Sequence, residues 1–368
     1  MKTIVHVVTT LERGGAENQL SILICEQVKH GHNVIAIPLK GDPELDSEIQ
    51  KSGAKVVTEI RNRPFLLQIL LLREFFNKSD YLIHAHLPRA EIAVYLSSNK
   101  QEIILSRHNS EPFFPGANRF ISSLLSRIIT RKAKCVICIS EAVKAFCLSK
   151  KEIAKGTRLQ VVYYGYEKKS YSLDDSELKQ IEKINRWKSE GYIVIGTLSR
   201  LEKQKNLEVL LNATSKLSKS SLKIKVVIVG KGSLKGSLQN LAKSLNIDDN
   251  VYFYGRTNSP LELIRSFDIF TLTSLYEGFG LVLLEAMAAN SPIVASKNSA
   301  IPEVLGEDYK GFFTTGDSLE LASVIEQIIS DDTLKRELLI QLSMRKALFT
   351  SENMERHVDS VYESSLPI

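Results

Sequence analysis

The chain has 368 residues, 43% of them hydrophobic and 24% charged, with four cysteines and a net charge of +6. At roughly 150 residues per domain this length suits two domains, and the composition excludes both a disordered and a membrane-embedded chain. The longest apolar run, Phe65 to Leu72, is interrupted by Gln68 and falls far short of the roughly 20 residues of a spanning helix. Four cysteines make no disulfide framework in so long a chain, and Lys2 leads straight into a strand-like run without a secretory core. The expectation is a soluble, cytoplasmic protein. Charge is uneven: residues 1–165 carry 23 Lys/Arg against 15 Asp/Glu, and residues 166–368 carry 25 against 27. A basic first half suits an anionic partner, though it is also compatible with a basic face that has no role. No nucleic-acid motif or cluster of stacking aromatics accompanies it, so nucleic acid is not expected as a partner.

In chain order, short β-branched runs alternate with segments of helical period. Strands are predicted near 3–8, 33–38, 55–59, 81–85, 102–107, 135–139 and 159–163, with helices between them such as Ala16–His30 and Arg89–Ser98. Further strands are predicted near 192–198, 224–229, 250–254, 268–272, 292–296 and 311–314. Such alternation predicts parallel sheets flanked by helices, and this many strands exceeds one ordinary open sheet. Two doubly wound α/β domains are therefore expected, with the seam in Glu167–Glu190. The tail from Ser351 to Ser364 has helical spacing at Met354, His357 or Val358, and Val361 or Tyr362.

In open α/β sheets, ligands bind beyond the carboxyl ends of the strands, so the residues there carry the functional reading. After the first strand, Gly14-Gly15 precede a helix whose free N–H groups could meet a phosphate; a tight turn is the plain alternative. The sequence does not match the dinucleotide fingerprint. The counterpart in the second half runs from Gly196 to Asn206, where Arg200 and Lys205 bracket a short loop. Cations of this kind would neutralise a diphosphate leaving group. The chain has no Asp-x-Asp and no Cys/His cluster with ligand spacing, so no metal is expected. The most specific segment is Glu277-Gly278-Phe279-Gly280-Leu281-Val282-Leu283-Leu284-Glu285. Glu277 stands in a Gly-flanked loop, and Glu285 in the opening turns of an apolar helix. A partly buried carboxylate needs donors, and vicinal sugar hydroxyls provide them.

Together these segments resemble the family 4 retaining glycosyltransferases of the GT-B fold. The resemblance spans nearly the whole chain: Gly14-Gly15-Ala16-Glu17, His84-Ala85-His86, Arg107-His108-Asn109, Ile139-Ser140-Glu141, Arg200 to Lys205, Gly230-Lys231-Gly232 and the Glu277/Glu285 pair. It implies two Rossmann-like domains facing across a cleft, residues 1–166 joined by a final helix at 351–368, and residues 167–350. It implies a nucleotide-sugar donor, UDP-sugar favoured, that is a substrate rather than a cofactor, and a glycan or lipid-linked acceptor. By resemblance Arg200 and Lys205 hold the donor diphosphate, Glu277 the sugar hydroxyls and Glu285 the ribose. His108 stands beside the transferred sugar, and these residues other than Glu285 form the expected catalytic set. Gly14 and Gly15 approach the phosphates, Gly230 and Gly232 turn near the base, and Gly278, Phe279, Gly280 and Leu281 complete the donor contacts. A nucleotide-sugar epimerase of the same architecture and a non-catalytic binding subunit are the alternatives.

Tyr163-Tyr164-Gly165-Tyr166-Glu167 departs from the family's usual Asn-Gly-Val-Asp turn, and Asn290 stands where a glycine is more usual. Cys135-Val136-Ile137-Cys138 reads as a buried strand without a second pair. His84 is expected beside its strand and His86 nearer the strand end; His6, His30, His32 and His357 show no ligand spacing. Between Asn118 and Lys134, Phe120, Ile121, Leu124, Leu125, Ile128 and Ile129 form a stripe among five cations. Two readings stand: a helix docked on its sheet by that stripe, or a basic amphipathic helix at an anionic membrane, peripheral on its inner face.

Overall fold

A computed structural model describes residues 3–114, 116, 118–167 and 173–364. The chain forms two compact units, Met1–Glu167 with Phe349–Ile368, and Lys168–Leu348. In the first, continuous Val/Ile/Leu runs become strands with helices between them. The elements are β1 (Ile4–Val8), α1 (Gly15–Lys29), β2 (Val34–Pro38), α2 (Asp46–Lys51), β3 (Lys55–Val56), α3 (Phe65–Phe76), β4 (Leu82–His86), α4 (Pro88–Ser97), β5 (Glu102–Arg107), α5 (Arg119–Thr130), β6 (Cys135–Cys138), α6 (Glu141–Ser149) and β7 (Arg158–Val161). All pairs are parallel, in the order β3-β2-β1-β4-β5-β6-β7. Every residue of β1, β2, β4 and β6 is buried, as expected of parallel strands covered on both faces. Cys135 and Cys138 lie in that buried β6, and burial pushes the Cys135 thiol up to about 11.

The second unit repeats the plan with α7 (Asp175–Ser189), β8 (Ile193–Leu198), α8 (Leu207–Leu217), β9 (Ile224–Val229), α9 (Lys235–Ser244), β10 (Val251–Gly255), α10 (Pro260–Arg265), β11 (Ile269–Leu272), α11 (Leu281–Ala288), β12 (Ile293–Ser296), α12 (Ile301–Leu305), β13 (Phe312–Phe313), α13 (Ser318–Ser330) and α14 (Asp332–Lys346). Its parallel sheet is ordered β10-β9-β8-β11-β12-β13. Each sheet thus reverses strand order once, at β1/β4 and at β8/β11, and such a reversal opens a crevice at the strand ends. Asn290, just beyond α11, takes φ 56°, a left-handed turn that asparagine tolerates.

The last helix, α15 (Ser351–Glu363), returns to the first unit and packs against α1, burying Met354, Val358, Val361 and Tyr362. Tyr166 N donates to Phe349 O at 2.8 Å, and Tyr166 pairs with Thr350. Gly165 permits that approach, since a Cβ there would lie 2.6 Å from Ser351 Cα.

Helix α5 splits its apolar stripe: Leu125 and Ile128 are part-buried and Ile129 is buried, as core docking predicts, but the leading residues are not. Phe120, Ile121 and Leu124 are 86%, 63% and 55% exposed, whereas Ser122, Ser126, Ile129 and Thr130 are buried. The serines turn inward because partners await them. Ser126 Oγ donates to Glu152 O and accepts from Arg107 Nη2, and Ser122 Oγ accepts from Phe114 N. Of the five cations, Lys132 is spent on the carbonyls of Tyr95 and Ser98, and Lys134 on Glu102.

Candidate active site

In the second unit, the loops leaving β8 and β11 flank the point of strand reversal. After β8 a single 3-10 turn, Lys203–Lys205, is laced to the β11 loop. Leu275 N donates to Gln204 O, Gln204 Nε2 to Tyr276 O, and Thr273 Oγ1 to Lys205 O, each at 2.8 Å. This lacing sets Lys205 against Glu277: Nζ to Oε1 is 2.6 Å, with both side chains largely buried. Ser274 Oγ donates to the same oxygen at 2.6 Å, and Ser299 Oγ braces the loop at Glu277 O. A charge-assisted pair of this length fixes both groups. Arg200 stands exposed at the start of the turn, 3.4 Å from Gln204 Oε1.

Gly280, at φ 89°, caps α11 without any side-chain hydrogen bond, while Phe279 is buried and Leu281 begins the helix. Gly278 precedes them in the same loop. Glu285 sits part-buried on the second turn of this otherwise apolar helix. Its carboxyl makes no hydrogen bond or ion pair with the described residues, and burial pushes it up to about 7. At Gly230, φ 140°, a Cβ would lie 1.8 Å from Ser199 O, and at Gly232 one would lie 2.3 Å from Leu201 O. The β9 loop therefore presses its backbone onto the Arg200 loop.

The remaining expected residues belong to the first unit. Gly14 caps α1 and Gly15 is its first residue, but the helix start is not vacant. A Cβ on Gly14 would meet Glu17 Oε2 at 2.3 Å, so the Glu17 carboxylate folds back against the glycine at the helix start. Burial raises the Glu17 carboxyl, opposed by its own backbone N–H and assisted by Glu12. His108 follows β5, and both of its ring nitrogens are engaged: Nδ1 with Tyr164 OH at 2.5 Å and Nε2 with His86 Nδ1 at 3.2 Å.

Along the sequence the histidines show no ligand spacing, yet the fold gathers several of them. Parallel pairing sets His6 opposite His84 and Val8 opposite His86, so three histidines share one face of the sheet. Burial holds His6 and His108 at about 4, and His84 and His86 well below the usual value, so all four are neutral. A neutral imidazole donates once and accepts once, which orders the chain. Tyr164 O–H donates to His108 Nδ1, His108 Nε2–H to His86 Nδ1, His86 Nε2–H to His6 Nδ1, and His6 Nε2–H to Gln27 Oε1. Gln27 Nε2 donates in turn to Tyr362 OH, which lies 2.7 Å from His84 Nδ1. Linear spacing hides this chain; only strand register reveals it.

The family model for glycosyl transferases group 1 matches residues 179–342, and that for Glycosyltransferase Family 4 matches residues 13–169. The chain belongs to the family 4 glycosyltransferases. Among curated relatives, the capsular polysaccharide biosynthesis glycosyltransferase CapM of Staphylococcus aureus is 24% identical, over 93% of this chain and 88% of its own. The N-acetyl-alpha-D-glucosaminyl L-malate synthase of Bacillus anthracis is 27% identical, over 70% and 67%. Anabaena HepE, solved in complex with UDP-glucose, superposes with a TM-score of 0.79 at 21% identity, covering 99% of this chain and 100% of its own. The fold is GT-B, and the protein is a glycosyltransferase.

Proposed function

We propose that the enzyme moves a hexose-type sugar from a UDP-sugar to a glycan or lipid-linked acceptor in surface polysaccharide synthesis, retaining the anomeric configuration and needing no metal. The observation that carries this is Glu285, a part-buried carboxyl without a protein partner, whose cheapest satisfaction is a pair of ribose hydroxyls. Glu277 spends both its hydrogen bonds on Oε1, which leaves Oε2 for a donor-sugar hydroxyl. Lys205 has three N–H donors and gives one to Glu277; the others, with Arg200, suit the diphosphate. In the transfer, the bond from the anomeric carbon to the phosphate oxygen breaks and the acceptor oxygen bonds to that carbon on the same face. The acceptor proton passes to the departing phosphate, and the two cations stabilise its charge. HepE's complex with UDP-glucose and CapM's capsular role support donor and pathway class.

The test is a panel of UDP-, GDP- and dTDP-sugars, read by thermal stabilisation, donor hydrolysis and NMR of the anomeric product. A UDP-sugar should stabilise and turn over, and EDTA should leave most of the rate. An inverted product, or activity abolished by chelation and restored by Mg²⁺, overturns the mechanism. Turnover to an epimer without acceptor overturns the transfer itself. We further propose that α5 rests on an anionic membrane. Its exposed Phe120, Ile121 and Leu124 stand among Arg119, Arg127 and Arg131, which pair an apolar wedge with charge complementary to acidic headgroups. Among the described residues no helix is long and apolar enough to cross a membrane.

A further inference from the structure

Where α15 meets the end of α1, a second cluster gathers residues that linear spacing had left without a role. His30 and His32 follow α1, and Glu355 and Asp359 stand one turn apart on α15, on the same face. His32 Nε2 lies 3.2 Å from Asp359 Oδ1 and 3.8 Å from Glu355 Oε1, and all three atoms fall within 4.8 Å of one another. Glu355 is 4% exposed, yet its Oε1 accepts no hydrogen bond, and 3.8 Å is too long for one. A buried carboxylate oxygen without a donor is costly, so the site asks for a positive group. Imidazole and carboxylates about 2.0–2.1 Å from a zinc-sized ion stand roughly 3.3 Å apart in a tetrahedral shell, close to the spacings found. His30 Nδ1, 2.8 Å from Glu355 Oε2, holds the carboxylate from behind, as outer-shell partners of metal ligands do.

We propose that His32, Glu355 and Asp359 bind a divalent transition-metal ion of the zinc type, completed by water on the exposed side, and that this ion fastens the last helix to the first unit. The inner trio of His6, His84 and His86 is a poorer host: its nitrogens are spent on hydrogen bonds and its residues are fully buried. The mixed imidazole and carboxylate set favours zinc over magnesium or calcium, which take oxygen ligands.

The experiment uses the full chain, stripped with EDTA and dialysed, then titrated with ZnCl₂ alone. One equivalent should bind saturably and raise the melting temperature, with no effect from MgCl₂. His32→Gln and Asp359→Asn should each weaken binding at least about tenfold, judged against the 10–100-fold cost of outer-shell losses. His357→Gln, an exposed histidine on the same helix outside the cluster, should leave binding unchanged. Hydrogen exchange on the wild type should show residues 351–363 gaining protection with zinc, a readout independent of how the variants fold. No saturable binding, wild-type affinity in His32→Gln and Asp359→Asn, or unchanged protection of that helix overturns the proposal.

Discussion

Glu285 and Glu277 are both poorly exposed carboxyls within one loop and helix, yet the protein treats them in opposite ways. Glu277 is compensated by Lys205 and Ser274, whereas Glu285 is compensated by nothing in the described chain. A carboxyl raised to about 7 holds its proton in the fold over a range where the unfolded chain has released it. Its contribution to stability is therefore lost as pH rises from the ordinary carboxylate value toward 7. Glu285→Gln should raise the melting temperature at pH 8 and not at pH 5, while weakening UDP binding at pH 8. Unfolding scans at both pH values with calorimetric UDP titration read both effects, and unchanged UDP affinity removes the ribose role. The two cations divide similarly. Lys205→Ala strands a buried carboxylate, a loss of about 3–5 kcal/mol. Arg200→Ala touches an exposed group, so it should cut turnover by about two orders of magnitude at unchanged melting temperature.

At the scale of elements, the strands were legible because a parallel strand covered on both faces is written as a β-branched run: Ile4 to Val8, broken only by His6, and Ile224 to Val229, broken only by Lys225, show it directly. Register was not legible. His6 and His84 look unrelated along the chain, and nothing in either strand alone says that they will be neighbours. The same limit hid the Lys205–Glu277 contact, although each residue stood out by its motif. Helix α5 misleads for another reason, since its period marks an apolar stripe but does not say which face is inward. Hydrogen-bonding partners for Ser122 and Ser126 decide that. If the outward stripe meets an anionic bilayer, each cation near the surface adds about 1 kcal/mol. Replacing Arg119, Arg127 and Arg131 by Gln should then weaken vesicle binding by up to about 100-fold, with donor hydrolysis kept. Flotation with anionic and neutral vesicles checks it, and equal flotation of wild type and variant sinks the membrane role.

For the whole molecule, the distinctive feature is that one unit is continuous in sequence and the other is not. Tyr362 reaches His84 and Gln27 across most of the chain's length, and a single bridge pairs Tyr166 with Thr350 where the chain leaves the first unit and comes back. During synthesis, then, the first unit to emerge is the last to be finished. At about 5–20 residues per second the ribosome needs some twenty to seventy seconds between His6 and Tyr362. Throughout that interval, His84 and Gln27 lack Tyr362, and the α1 surface that α15 covers lacks its helix. The later unit has all of its own residues in hand earlier and can close while its predecessor waits. Ribosome-bound chains arrested with residue 348 just outside the exit tunnel should therefore show a protease-resistant second unit beside a sensitive first one. Arrest with the full chain outside should protect both. A first unit already resistant at the earlier arrest would mean that its core closes without the returning helix, which would then act as a late clasp on a finished fold.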